Sequence, residues 1–331
     1  MKILIIGGTQ FLGRHLVNSA RVRGHQVTLF NRGKTNPNLF LQVKKIQGDR
    51  EKDLDLLTGQ NWDVVIDTCG YFPRIVRMST KALKDKVERY VFISSISVYS
   101  DFSKIGINES DPVGTLDDET IEVISGDSYG PLKALCEKAV QDVFGIDSLI
   151  IRPGLIVGPH DPTDRFTYWP VRVARGGEVL APGTPDGLTQ LIDVRDLADF
   201  IIALIAQNVS GVFNVTGPDR LLSFGTLLDT CKLISASDAK FKWASIDFLN
   251  QNNVTPWNDM PAWLPDHGKD AGFARVNISK AVNAGLKFLS LEQTVHDTLE
   301  WANSRSKDHV WQAGLTVERE KELLKILNND N

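Results

Sequence analysis

Tyr129 and Lys133 form a pair of side chains whose types and spacing suit acid–base chemistry. Ser128 and Pro131 are typical of the first turn of a helix, so a helix is predicted here, with Ser128 as its cap. Residues four apart lie on one helix face, where both side chains can act on one ligand. A free phenol has a pKa of ~10, and its use as a base near neutral pH requires about 4 kcal/mol of added stabilisation of the phenolate. The Lys133 ammonium is one positive charge that would supply part of it.

A serine-rich stretch from Ser94 to Tyr99 precedes this pair at the end of a predicted strand. A hydroxyl in that place, for which Ser95 is the candidate, would hydrogen-bond the hydroxyl or carbonyl of a substrate and orient it. The pair alone is weak evidence, since a chain with five tyrosines can contain such a spacing by accident. Its place after the serine-rich strand, in a chain that begins with a glycine-rich loop, is what indicates catalysis.

The glycine-rich loop runs from Gly7 to Gly13, after a short apolar run and before an amphipathic stretch. A turn this tight requires residues without a Cβ, and the helix N-terminus beyond it offers free N–H groups and partial positive charge to a pyrophosphate. Because a strand precedes the loop and a helix follows it, a dinucleotide site is favoured over a plain turn. The predicted cofactor contacts in this loop are Gly7, Thr9, Gln10, Phe11 and Leu12.

The end of the second predicted strand bears on which dinucleotide is bound. Folds that prefer NAD usually place a carboxylate there for the ribose 2′-hydroxyl, whereas this chain has Asn31, Arg32 and Lys34. Asn31 can hydrogen-bond without charge, and the two cations can pair with a 2′-phosphate, so NADP is predicted, with NAD as the alternative. The cations could also be solvated loop residues. Asp49, after the third predicted strand, suits a hydrogen bond from the adenine amino group, or a simple turn.

The elements that would position these residues follow a strand–helix alternation. Short apolar runs with the length of buried parallel strands occupy residues 3–6, 26–30, 43–47, 63–67, 90–94 and 148–152, with a return to the sheet near 211–215. This rhythm predicts an α/β protein with a Rossmann-type doubly wound parallel sheet and a smaller interleaved C-terminal substrate domain. The predicted dinucleotide domain covers residues 1–158 and about 188–216. The predicted substrate-binding region covers about 159–187 and 217–331, with a helix at 316–328 packed on its surface.

Composition narrows the classes of protein. The chain has 331 residues, a net charge of −4 and 42% hydrophobic residues, which is typical of a globular protein. The acidic balance gives no electrostatic basis for sequence-independent nucleic-acid binding, so no nucleic-acid partner is expected. Three dispersed cysteines and the isolated His160 predict neither a disulfide framework nor a metal site. No apolar run approaches the ~20 residues of a membrane span, and the N-terminal run is too short for a signal peptide, so a cytoplasmic protein without membrane contact is predicted.

Together these motifs resemble those of extended short-chain dehydrogenases/reductases of the NAD-dependent epimerase/dehydratase family. The resemblance covers nearly the whole chain and rests on GGTQFLG, SSISVY, YGPLK, Arg152-Pro153-Gly154 through Gly158-Pro159, and residues 192–198. It implies that Ser95, Tyr129 and Lys133 are catalytic, with Ser94 and Ser97 as alternatives to Ser95. It also implies two further loops along the cofactor, Thr68-Cys69-Gly70 and Pro153-Gly154-Leu155. One departure is Gln10, which stands where the family usually has its middle glycine.

The resemblance implies an NAD(P)-dependent oxidoreductase, epimerase or dehydratase that transfers a hydride at a hydroxyl-bearing or carbonyl carbon. It further implies a nucleotide sugar as substrate, and a homodimer is an expectation. The alternatives are a reductase of a small carbonyl compound and a non-catalytic cofactor-binding or RNA-binding member of the fold. A chloroplast RNA-binding branch shares GGTxF and a strand ending in Arg-Gly-Lys, but the tyrosine of its pair is replaced. Because this chain keeps Tyr129 and Lys133, an enzyme is favoured.

Candidate substrate contacts come from the loop at residues 160–170, where family members build the substrate mouth. Arg165 suits a phosphate or carboxylate, and Trp169 suits stacking on a ring, with packing in the core as its alternative. Tyr71, which directly follows the loop Thr68-Cys69-Gly70, is a further candidate. The predicted site therefore combines a dinucleotide with a small anionic substrate.

Overall fold

The computed structural model describes residues 1–306 and 308–329. Its strands there are β1 (Lys2–Ile6), β2 (Gln26–Asn31), β3 (Lys44–Gln47), β4 (Trp62–Asp67), β5 (Val87–Ile93), β6 (Ser148–Pro153), β7 (Leu155–Val157), β8 (Glu178–Pro182), β9 (Leu188–Thr189), β10 (Leu191–Asp193), β11 (Gly211–Val215), β12 (Leu222–Ser223) and β13 (Lys240–Ala244). Its α-helices there are α1 (Phe11–Val22), α2 (Pro73–Leu83), α3 (Gly126–Phe144), α4 (Tyr168–Ala174), α5 (Val194–Ala206), α6 (Phe224–Ser235), α7 (Ile246–Gln251), α8 (Ser279–Asn283), α9 (Leu291–Asn303) and α10 (Val317–Asn329). No helix within the described residues is long and apolar enough to cross a membrane.

Seven strands form one parallel sheet in the order β11-β6-β5-β4-β1-β2-β3. Ile3 of β1 is paired with Val27 of β2 on one side and with Val64 of β4 on the other. The strand order therefore runs outward from β1 in both directions, which opens a crevice at the carboxyl ends of β1 and β4, where doubly wound folds bind ligands. The predicted Rossmann-type α/β fold is confirmed, and so is the return of the chain to the sheet at Gly211–Val215.

Helices cover both faces of this sheet. Alternate residues of β1 point to opposite faces, as the period of a strand requires. Ile3 and Ile5 lie in the apolar cluster that contains the buried faces of α1 and α5. Leu4 and Ile6 lie in a second cluster with α2 and α3. Because both faces are buried, the central strands are uninterrupted apolar runs, and this is why the sequence reveals them.

The start of α3 differs from its prediction. Ser125 is the cap of this helix, since its Oγ accepts a hydrogen bond from the N–H of Ser128 at 3.2 Å. Ser128 is instead the third helical residue, and its own Oγ accepts from the N–H of Ser125, which completes a capping box. The prediction that Ser128 caps the helix is therefore wrong by three residues. Pro131 consequently lies inside the helix, and Tyr129 and Lys133 lie on it as predicted.

A third apolar cluster is built mainly from α4, α6, β8 and α10. The strands β7 and β10, β9 and β12, and β8 and β13 form three separate two-stranded pairs. Leu323, Leu324 and Leu327 of α10 are buried in this cluster, so the C-terminal helix packs on the fold as predicted. The exact division of the chain into two domains stays a prediction.

We predict that removing one charge of the buried ion pair between Arg172 and Glu320 destabilises this part of the fold. Glu320 accepts hydrogen bonds from the Arg172 guanidinium and from the Leu180 N–H, and both charged side chains are buried. Glu320→Gln would leave the guanidinium without its counter-charge and is expected to lower the free energy of unfolding by about 3 kcal/mol, measured by urea denaturation. Glu322→Gln, at an exposed partner of Arg319, is the control and should change it by less than ~0.5 kcal/mol. Equal stability of the two variants would contradict the prediction.

Candidate active site

The glycine-rich loop lies between β1 and α1 and brings the helix unusually close to the loop backbone. Gly7 and Gly8 have φ values of +105° and +91°, which side chains rarely allow. A Cβ on Gly13 would lie 2.7 Å from the Cα of Gly8, so only glycine permits this approach. Gln10 has an ordinary extended backbone (φ −129°), so its backbone conformation does not require a glycine. The first turn of α1 has no side-chain cap, as expected of a cradle for a phosphate group.

Asparagine side chains support this loop from the end of β2. The Asn31 Nδ2 donates to the Gly7 carbonyl at 2.8 Å, and its Oδ1 accepts from the Gly33 N–H at 2.9 Å. Asn36 donates to the Thr9 carbonyl at 2.8 Å. Both polar atoms of Asn31 are thus used within the protein, which gives this residue a role in shaping the loop. Its direct contact with a cofactor stays a prediction.

Arg32 and Lys34 lie exposed just beyond β2. Neither side chain has a hydrogen-bond or ion-pair partner among residues 1–306 and 308–329. Asp49 lies in the loop after β3, where its carboxylate accepts from the Glu51 N–H at 3.0 Å and so forms a local turn. The two cations are therefore available to a ligand at the end of β2.

A hydrogen-bond network that the sequence pattern does not reveal lies next to the predicted cofactor loops. The guanidinium of Arg50 donates two hydrogen bonds to the carboxylate of Asp67, at 2.9 and 2.7 Å. The Tyr90 hydroxyl and the Cys69 N–H also donate to this carboxylate. Although burial raises the pKa of Asp67, Arg50 and the hydrogen bonds outweigh it and hold the pKa below its ordinary value. The network connects the loop that carries Asp49 with the loop that carries Cys69.

Lys133 joins three parts of the site. Its Nζ donates to the Gly70 carbonyl at 2.7 Å and to the Ile93 carbonyl at 2.6 Å, and only 3% of the residue is exposed. Burial lowers its pKa to about 8. The helix reaches this position because Gly130 has no side chain, since a Cβ there would lie 2.0 Å from the carbonyl oxygen of Ser97. The structure thus brings α3, the end of β5 and the loop after β4 to one point.

Tyr129 lies next to Ser95 at this point. Burial raises the pKa of Tyr129, and a hydrogen bond with Ser95 and the positive charge of Arg165 partly offset that effect. The Ser95 Oγ also accepts from the Ser97 N–H and donates to the Ser97 Oγ at 3.0 Å. In the chain alone, Tyr129 is therefore a proton donor at neutral pH. A further positive charge is needed to make it a base, and the glycine cradle beside it fits a dinucleotide that carries one.

The three predicted substrate residues have different environments. The Tyr71 ring centroid lies 5.4 Å from the Lys133 Nζ, and burial raises the pKa of Tyr71 to about 12. The Arg165 guanidinium lies 5.5 Å from the Trp257 ring and near Tyr129. Trp169 is completely buried, and its indole N–H donates to the Pro261 carbonyl at 2.6 Å. The environment of Trp169 therefore favours the core packing given above as its alternative over a substrate role, because its ring is buried and its polar atom is already bonded.

Pro153 and Gly154 lie at the end of β6, beside β11. The Gly154 N–H donates to the Val215 carbonyl at 3.1 Å, and a Cβ on Gly154 would lie 2.2 Å from the Thr216 Oγ1. This loop is thus packed tightly against the end of β11.

Elsewhere, the described residues His296, Asp297 and Glu300 have a spacing that could hold a metal, but Asp297 already pairs with Arg195. The cofactor contacts at Pro153 and Gly154 stay predictions, as does the absence of a metal site.

The buried lysine predicts a pH dependence of stability. An unfolded chain keeps the ordinary lysine pKa of 10.5, whereas the folded chain releases the proton at about 8. Between these values the unfolded state binds more protons, so the contribution of Lys133 to the free energy of unfolding rises with pH, and below pH 8 it is constant. The free energy of unfolding of the wild type minus that of Lys133→Met, both measured by urea denaturation, should therefore increase from pH 8 upward. The exposed-site variant Lys138→Met is the control, and a pH-independent difference for Lys133→Met would contradict the prediction.

Comparisons with known proteins agree with this architecture. Residues 71–216 match the model of the NAD dependent epimerase/dehydratase family. The chain is 29% identical over 251 residues to the chloroplast stem-loop binding protein of 41 kDa b from Arabidopsis thaliana, a match that covers 70% of this chain and 62% of that protein. It is 27% identical over 264 residues to UDP-glucose 4-epimerase from Neisseria meningitidis serogroup B, covering 63% of this chain and 75% of that enzyme.

Solved structures share the fold over almost the whole chain. The UDP-glucuronic acid 4-epimerase from Bacillus cereus in complex with NAD has a TM-score of 0.67 and 18% identity, and the match covers 92% of this chain and 99% of that one. The UDP-glucose 4-epimerase from Bifidobacterium longum in complex with NAD+ and UDP has a TM-score of 0.67 and 20% identity, covering 92% and 98%. The chain therefore shares its fold with these solved structures, and residues 71–216 within it are similar to the NAD dependent epimerase/dehydratase family.

Proposed function

We propose that the chain is an NAD(P)-dependent epimerase or dehydratase of the extended short-chain type that acts on a nucleotide sugar. The observation that carries this proposal is the convergence of Tyr129, Lys133 and Ser95 beside the glycine cradle at the carboxyl edge of the sheet. The relatives named UDP-glucose 4-epimerase support the substrate class, and so do neighbours whose structures hold UDP-glucuronic acid or UDP.

The chemistry follows from the geometry of these side chains. Ser95 orients the substrate hydroxyl, and Tyr129 takes its proton as the carbon–hydrogen bond breaks. The Lys133 Nζ uses two of its three donors on backbone carbonyls and keeps one for a ribose hydroxyl. A bound nicotinamide dinucleotide supplies the hydride acceptor and the extra positive charge that lowers the pKa of Tyr129. In the reverse direction Tyr129 returns the proton, so reduction, epimerisation and dehydration share this step.

Two alternative functions are considered beside this proposal. A small carbonyl compound would use the same proton transfer from Tyr129. The relative from Arabidopsis thaliana is named as a stem-loop binding protein, so RNA binding is the second alternative function. The catalytic pair in this chain, with Lys133 held by two carbonyls, supports an enzyme instead.

We further propose NADP as the cofactor. Neighbouring structures are named as complexes with NAD, and a nicotinamide dinucleotide is common to both possibilities. NADP is supported by Arg32 and Lys34, which are exposed beyond β2 without partners among the described residues, and by Asn31 where a carboxylate would repel a 2′-phosphate.

Tyr129→Phe tests the acid–base role. The variant should bind NADPH with wild-type affinity, measured by fluorescence, because the ring remains. Its kcat on a UDP-sugar should fall by about 10²–10⁴-fold, because no group can move the proton. Turnover that survives the substitution would overturn the role of Tyr129. If wild-type protein binds neither NADPH nor NADH and retains stem-loop RNA in a gel-shift assay, the RNA-binding alternative replaces the enzyme.

Arg32→Ala tests the choice of cofactor. Loss of a charge-assisted hydrogen bond to the 2′-phosphate should raise the Kd for NADPH by about tenfold and leave the Kd for NADH nearly unchanged, both measured by calorimetry. Arg21→Ala is the matched control, because it removes one exposed cation from the far end of α1. Equal weakening of both cofactors by Arg32→Ala would show that Arg32 does not recognise the 2′-phosphate.

A further inference from the structure

The loop between β7 and α4 carries Arg165 to the site, and its first residues contact α1. The Nε2 of His15 lies 3.3 Å from the Pro159 carbonyl oxygen. The Nη1 of Arg14 lies 3.3 Å from the Nδ1 of His160. Because α1 begins directly at the glycine cradle, the start of this loop is held against the part of the fold that fits a dinucleotide.

Asp164 fixes the far end of the same loop. Its side chain is completely buried, and its Oδ1 lies 2.6 Å from the Arg305 Nη1. Its Oδ2 lies 2.8 Å from the His309 Nε2 and accepts a hydrogen bond from the Gln312 N–H at 3.0 Å. A buried carboxylate is stable only with such partners, so the loop is tied at this residue to the chain that follows α9. The left-handed backbone of Asp164, with φ +58°, sets the direction in which the loop turns here.

Arg305 is itself held in place by aromatic rings. Its guanidinium carbon lies 4.8 Å from the Trp301 ring and 4.8 Å from the Trp311 ring, on which it can stack as a cation. The Trp301 ring also contacts the His160 ring, with the centroids 5.4 Å apart. The loop is therefore anchored at both ends by contacts that do not involve Arg165.

Arg165, which follows Asp164 directly, is a cation of a different kind. Its guanidinium has no hydrogen-bond or ion-pair partner in the part of the chain that the structure describes, and it lies over the Trp257 ring. Its charge acts on Tyr129. A half-buried guanidinium without a carboxylate partner, whose charge acts on Tyr129, suits an anionic group of a ligand.

We propose that Asp164 is a positioning residue that fixes Arg165 against the Trp257 ring and close enough to Tyr129 for its charge to act there, and that Arg165 binds an anionic group of the substrate. The identity of the substrate rests on the proposed function. The placement of Arg165 relative to Tyr129 does not, because it belongs to the protein alone. The anionic group is a phosphate or a carboxylate, and the two can be separated by choice of ligand.

A double-mutant cycle read at Tyr129 tests the positioning. The protein would be labelled with 3-fluorotyrosine, and the ¹⁹F signal of Tyr129, identified with Tyr129→Phe, would be titrated. Arg165→Met should raise the pKa of Tyr129 because it removes a positive charge. Asp164→Asn removes a negative charge, which by itself would lower the pKa of Tyr129, so an increase can arise only from displacement of Arg165. In the Arg165→Met background, Asp164→Asn should cause no further increase.

Controls separate positioning from loss of stability. Glu320→Gln breaks the buried ion pair with Arg172, neither member of which is among the groups that shift the pKa of Tyr129, and should destabilise the fold without shifting the Tyr129 titration. If Asp164→Asn fails to fold, Arg305→Lys keeps the charge beside Asp164, loses the planar fork, and should shift the titration in the same direction only when Arg165 is present. An unchanged pKa of Tyr129 in both the Asp164 and Arg305 variants, or a shift that persists without Arg165, would overturn the proposal.

Binding of UDP-glucose and UDP-glucuronic acid by calorimetry then identifies the anionic group. If Arg165 binds the diphosphate, Arg165→Met weakens both ligands by about tenfold or more, and Asp164→Asn weakens both by a smaller factor. If Arg165 binds a carboxylate, only UDP-glucuronic acid is weakened. Binding of both ligands that is unaffected by Arg165→Met would overturn the assigned anion contact. If wild type binds neither, the proposed function fails, while the Tyr129 titration still decides whether Asp164 positions Arg165.

Discussion

The site depends on the two hydrogen bonds that the buried Lys133 ammonium donates to the carbonyls of Gly70 and Ile93. They tie the helix that carries Tyr129 to the ends of β4 and β5. Burial destabilises the charged form of Lys133, because the ammonium loses its contact with water. This is why the pKa of Lys133 is lowered. The two carbonyls and the neighbouring rings of Phe92 and Tyr71 compensate. Movement of the loop after β4 would therefore displace Lys133 and, through α3, Tyr129.

The loop after β4 is in turn held in place by the ion pair between Arg50 and Asp67. The Asp67 carboxylate receives the Cys69 N–H, and Arg50 follows directly after the predicted adenine contact at Asp49. One buried ion pair thus sets both the loop beside Lys133 and the loop at the other end of the cofactor cradle. A pair of this kind contributes little net stability, because desolvation offsets the attraction, but it restricts the loops to one arrangement.

Much of the fold and of the site was predictable, because local patterns determine those parts. The central strands are apolar runs, the glycine loop has its own spacing, and Tyr129 and Lys133 are adjacent on any helix. What the sequence concealed depends on contacts between distant residues. Strand β5 begins at Val87, three residues earlier than predicted. The prediction began too late because the charged Arg89 interrupts the apolar run. In the structure its guanidinium donates a hydrogen bond to the Val209 carbonyl, a contact that the sequence does not reveal. The partners of Asp67 and Asp164, and the complete burial of Trp169, involve the same kind of distant contact.

The distribution of charge separates structural cations from those available to a ligand. Four arginines with largely buried side chains have carboxylate partners: Arg50 with Asp67, Arg152 with Glu137, Arg172 with Glu320, and Arg305 with Asp164. Arg32, Lys34 and Arg165 have none among the described residues, although the chain carries more acidic than basic side chains. A carboxylate beside each of them would compete with an incoming anion and repel it. These three cations, two of them just beyond β2 and one in the loop between β7 and α4, are therefore available to anionic groups of ligands.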